Sequence, residues 1–82
     1  MSYINLKERY FLAQKLMRSL NHAGQERSLI TSILNKFSNP DIILTTEEAH
    51  YLHVQINAYL DEAMERRDDY HIEFLNHLRE KI

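Results

Sequence analysis

Apolar residues recur through this chain at helical rather than strand spacing. From Thr45 to Ile82 there is neither Gly nor Pro. Leu52, Ile56, Tyr59, Leu60, Ala63 and Met64 share one face when the stretch is wound at about 100° per residue. Tyr70, Phe74, Leu75, Leu78 and Ile82 continue that face in phase. The pattern predicts one long helix over about 46–80. Arg67 lies in the middle of its apolar face, so any bend or break is expected at 65–69. A second, thinner stripe of Tyr51, Val54, Ala58 and Ile72 runs along the other side.

Two shorter helices precede it. In the first, over about 3–22, Leu6, Tyr10, Ala13, Leu16, Met17 and Leu20 mark the buried face. Lys7, Glu8, Lys15 and Arg18 point away. Ile4, Phe11 and Leu12 fall on a different side, as further core or as a contact surface. Gly24, the only glycine, stands where a helix C′ residue in the left-handed region is expected. The second helix, over about 25–37, carries the stripe Leu29, Ile30, Ile33, Leu34 and Phe37. Ser38-Asn39-Pro40-Asp41 ends it, since a residue before proline is pushed out of the helical region. Ile42, Ile43 and Leu44 then read as an apolar link tucked against the helices.

The start of the long helix is marked by a capping box, Thr45 with Glu48 three residues on. Glu47 and Glu48 also suit the positive end of the helix dipole, and Arg79 and Lys81 the negative end. The predicted fold is therefore all-α: a short αα-hairpin packed on one long C-terminal helix, in a single domain of residues 1–82. A helix of about 35 residues is about 50 Å long, and a compact monomer of this size has a radius of gyration near 12 Å. The excess length favours a homodimer with paired long helices.

Composition narrows the function. With 82 residues and no cysteine, neither disulfides nor thiolate metal sites hold the fold. A net charge of −2 lacks the basic stripe typical of nucleic-acid binders. No apolar run approaches the roughly 20 residues that cross a membrane. The first ten residues carry no signal-peptide pattern, and a cytoplasmic location is expected.

Hidden chemistry is scarce. Glu47-x-x-His50 has the spacing of one half of a di-iron motif, and His50 and His53 are one turn apart. No second copy of either pattern exists, and solvated histidines are the simpler reading. Four serines lie in ordinary helix or cap contexts, without a glycine-framed elbow. Asp68 and Asp69 are adjacent and diverge on a helix. Neither an enzyme nor a cofactor, metal or small-molecule substrate is expected.

The segment with Ile56, then Leu60-Asp61-Glu62-Ala63-Met64, then Arg67-Asp68-Asp69, Phe74 and Leu78 resembles the short helical IDEAL segment of Firmicutes regulatory proteins. It departs in its spacing to Phe74, one residue longer than the pattern. The resemblance implies a regulatory or interaction module. From the residues themselves, the expectation is a small regulator, adaptor or inhibitor that acts through helix faces on a protein partner. The candidate contact residues are Phe11 and Leu12; Tyr51 and Val54; and Arg66, Arg67, Asp68, Asp69 and Tyr70. Arg and Tyr are frequent interface anchors. The alternative is a dimeric helical nucleic-acid-binding regulator, distinguished by steeply salt-dependent binding.

Overall fold

The computed structural model describes residues 4–39 and 41–82. All regular structure among them is helical: α1 (Leu6–Leu20), α2 (Arg27–Lys36), α3 (Thr46–Glu65) and α4 (Asp69–Lys81). The all-α expectation holds. The three-helix arrangement does not, because the stretch read as one C-terminal helix is two. The chain divides into two compact units, Ile4–Glu48 and Ala49–Ile82. Tyr3 and Pro40, which bound two of the sequence expectations, lie outside the described residues.

In the first unit, α1 begins at a capping box that the hydrophobic pattern did not reveal. Asn5 Oδ1 accepts the Glu8 N–H at 2.8 Å, and Glu8 Oε1 accepts the Asn5 N–H at 3.0 Å. This pins Glu8 in a buried position, whereas the helical pattern predicts it facing away. The buried line of α1 is therefore Glu8, Leu12 and Leu16, preceded by Ile4. It packs against α2, which buries Ile30 and Ile33. Burying each such side chain contributes about 1.5–3 kcal/mol. Leu6, Tyr10 and Met17, expected inside, are outside. The core is rotated about the helix axis from the face the sequence suggests.

Between α1 and α2 the chain makes loose turns, with Asn21, His22 and Ala23 each donating to the carbonyl three residues earlier. Gly24 does not take the left-handed conformation expected of it, for no glycine here has positive φ. α2 starts without a side-chain cap. Its far end is closed by α1. Arg9 donates Nε–H to the Ile4 carbonyl at 3.0 Å, and its Nη1 donates to the carbonyls of Phe37 (3.3 Å) and Asn39 (2.6 Å). A guanidinium at a helix C-terminus supplies donors to orphan carbonyls and favours the dipole. In the link that follows, Ile42 is buried while Ile43 is exposed.

In the second unit, α3 buries Leu52, Ile56, Leu60 and Ala63, as the pattern predicts, while Met64 is exposed. The helix stops at Glu65 because the backbone reverses. Arg67 has φ of 54°, alone among the described non-glycine residues. Asp68 N–H donates to the Ala63 carbonyl at 3.0 Å and Arg67 N–H to that of Met64 at 3.1 Å. Those two bonds with a left-handed residue between are a Schellman motif. Asp68 then caps α4, accepting the His71 N–H at 3.3 Å. Leu75 and Leu78 are buried on α4. Arg79 reaches from α4 to Asn57 of α3 at 3.0 Å, so the helices fold back as a hairpin. The 20-residue α3 spans about 30 Å, so the excess length that favoured a second copy is absent.

Candidate interaction surface

The candidate contact residues fall into three groups. Leu12 has no exposed surface, and Tyr51 is also buried, so neither lies on the surface of the chain. Phe11 is half-buried, with the Lys15 ammonium 5.6 Å from its ring centroid. Val54 is exposed on α3, separated from its expected neighbour Tyr51 by that residue's burial.

Arg66, Arg67, Asp68, Asp69 and Tyr70 do come together, on the turn between α3 and α4 rather than along one helix face. Asp68 is largely occupied by structure: its Oδ2 lies 2.5 Å from His71 Nδ1, and its Oδ1 caps α4. The hydrogen bond from the His71 ring, then that from the His71 N–H, hold the Asp68 carboxyl below the usual carboxylate range. Tyr70 stacks near Phe74 and meets the His71 ring edge-on while staying exposed.

A further cluster holds the start of α3. The Glu48 side chain is 3% exposed and takes part, with its own N–H, in four hydrogen bonds. Lys36 Nζ approaches Oε1 at 2.5 Å, Ser32 Oγ donates to Oε2 at 2.7 Å, and the Thr45 N–H donates at 2.8 Å, while Glu48 N–H returns to Thr45 Oγ1 at 3.1 Å. Three of these reach the carboxylate and the fourth completes the predicted capping box. Burial raises the Glu48 pKa, but Lys36, the Thr45 amide and Ser32 together outweigh it and bring it down to about 2. Every group here has a partner, so the cluster serves to join α2 to the start of α3.

Among the described residues, α1 carries a row of exposed apolar side chains. Leu6, Tyr10 and Met17 are 79%, 67% and 59% exposed. Ala13 and Leu20 lie between and beyond them, half-buried. The five residues alternate four and three apart, so they form a single straight seam of heptad a and d positions: Tyr10 and Met17 at a, Leu6, Ala13 and Leu20 at d. Their helical spacing predicts these residues in the core, and the structure turns Leu6, Tyr10 and Met17 out of it. The signal that separates the two sets is the strict four–three alternation of the seam against the i+4 ladder Ile4, Glu8, Leu12, Leu16. Asn5-x-x-Glu8 would have anchored that ladder.

Among the described residues no three His, Asp or Glu side chains converge as metal ligands would, and no helix is long and apolar enough to cross a membrane. The chain matches no protein-family model, no curated protein and no solved structure.

Proposed function

We propose that this protein is an interaction module, a small non-enzymatic regulator or adaptor that works by binding another protein along α1. The observation that carries this reading is the exposed seam of Leu6, Tyr10 and Met17. Scattered exposed apolar residues are ordinary, but an aligned row of large ones marks a contact site. α1 is already held by its other side, through Leu12 and Leu16, so the seam is rigid before a partner arrives. Preorganisation of this kind lowers the entropy lost on binding. The turn at Arg66 to Tyr70 is the secondary contact, with Met64 and Tyr70 exposed on either side of two arginines.

The test is site-specific photocrosslinking in the cells that make the protein. A photoreactive residue replacing Tyr10 or Met17 should give protein adducts of one defined mass, and one at exposed Asn57 should not. Adducts absent at both seam positions would overturn the reading.

A further inference from the structure

We infer that α4 is poised to exchange with a second copy of this chain. The turn at 66–68 straightens, α3 and α4 become one helix, and each α4 packs on the α3 of the other chain. The product is a domain-swapped dimer, independent of the α1 contact.

The turn is where the hairpin is weakest. Three residues, Arg66, Arg67 and Asp68, separate the helices, and none is Gly or Pro. The reversal depends on Arg67, an L-residue held at φ 54°. Left-handed backbone of this kind crowds the Cβ against the following carbonyl oxygen. A short hinge under strain is the setting in which chains exchange elements. The strain has a ready release. The Arg67 and Asp68 N–H groups now donate to the Met64 and Ala63 carbonyls, and the His71 N–H to Asp68 Oδ1. In a straight helix the same three donate four residues back, to the carbonyls of Ala63, Met64 and Arg67. None of these amides loses a partner.

The apolar pattern suits the straight form as well. At about 100° per residue, Leu52, Ile56, Leu60 and Ala63 of α3 and Phe74, Leu75 and Leu78 of α4 fall on one broad face of an unbroken helix. A hairpin does not require that agreement of phase, because its turn can rotate one helix against the other. Straightening uncovers this face, and a second copy brings the matching surface. α4 then lies on an identical α3, and Arg79 donates to the partner's Asn57 in place of its own. Each contact that α4 makes with its own α3 is re-made between chains, which makes exchange a low-cost route to a dimer. One interaction opposes it. In the antiparallel pair the two Arg67 side chains meet at the two-fold axis, and like charges repel. Exchange should therefore need high concentration and respond to residue 67 in both directions.

The experiment uses the full chain, which has no cysteine of its own. Val54→Cys and Glu80→Cys, both at exposed positions, carry spin labels on the same chain. This chain is unfolded in urea with an excess of unlabelled chain and refolded at high and at low concentration. Size exclusion with light scattering separates monomer from dimer, and dipolar electron spin spectroscopy gives the distance within one chain. The monomer should give about 20 Å or less, since Asn57 and Arg79 meet there and packed helices lie about 8–10 Å apart. The dimer should form at high concentration and give about 39 Å, the straight-helix distance from 54 to 80 at about 1.5 Å per residue. Arg67→Gly should lower the dimerisation constant at least tenfold, because glycine suits the turn and weakens the helix. Arg67→Ala should raise it at least threefold, because the repulsion is gone and alanine favours the helix. Circular dichroism checks that each variant keeps its helices. A dimer that keeps the short distance is a surface contact and overturns the inference. Two other results also overturn it: no dimer from the wild-type chain refolded at high concentration, whatever Arg67→Ala does, or dimer equally abundant in Arg67→Gly and Arg67→Ala.

Discussion

The two units end their helices by different means. In Ile4–Glu48 the closing groups are side chains sent from far along the sequence. Arg9 supplies the end of α2, some 30 residues away, and Lys36 and Ser32 hold Glu48 at the start of α3. In Ala49–Ile82 the turn is closed by its own backbone, with two amides of the Schellman motif donating to α3 carbonyls and Asp68 serving α4 three residues on. The first kind of closure is charged and long-range. It depends on pH and on single side chains. The second is conformational, and it places an arginine in a backbone region that suits glycine. The glycine of the chain stands in the other unit, at a turn that does not require it.

The largest effect should come from breaking the side-chain closure. Glu48→Ala removes a capping group and leaves Lys36 beside a site with no acid, and should destabilise by about 2–4 kcal/mol. Urea unfolding followed by circular dichroism measures this, and a loss under about 1 kcal/mol would show that the cluster is incidental. The same closure should fail in acid. Because the folded Glu48 pKa is depressed from 4.5 to about 2, its contribution is complete above pH 4.5 and is lost as the pH falls through about 2. Glu48→Gln should therefore flatten the wild-type loss of stability across that window. Identical acid profiles for the two proteins would contradict this.

Arg9→Ala should cost about 1–2 kcal/mol by stripping donors from the carbonyls of Phe37 and Asn39. Amide exchange should then quicken first at the C-terminal end of α2. In the other unit the sign reverses: Arg67→Gly should stabilise by about 1 kcal/mol, since it relieves a left-handed L-residue. A destabilised variant would show that the Arg67 side chain contributes more than its backbone costs. Gly24→Ala should have the smallest effect, a gain of about 0.5 kcal/mol. A Cβ there meets nothing within 4 Å, the φ is not positive, and the unfolded chain loses freedom. A clear loss of stability would mean that this turn needs glycine after all.

Helical class, the stripe of α2, the buried line Leu52, Ile56, Leu60 and Ala63 of α3 and the Thr45–Glu48 box were legible in the chain, since each is a local matter of period and capping, while the burial of Tyr51 was not. The break at Arg67 was half-legible. An arginine in an apolar face warns of interruption, but the phase of the face runs on through it, and nothing local states that its backbone will turn left-handed. The contact surface was legible as a list of residues and not as a surface. α1 has apolar residues around more than half its circumference, and periodicity alone does not say which arc faces inward.

Sequence by itself determined where helices form in this protein, because helix propensity, caps and amphipathic spacing act within a few residues. Only the tertiary structure decided which side of α1 is core. Burying Leu12 and Leu16 against α2, with Glu8 pinned by Asn5 and Arg9 drawn to the end of α2, turns Leu6, Tyr10 and Met17 outward. Contacts made between distant residues chose between two apolar faces of nearly equal merit, and that choice created the surface on which the proposed function rests.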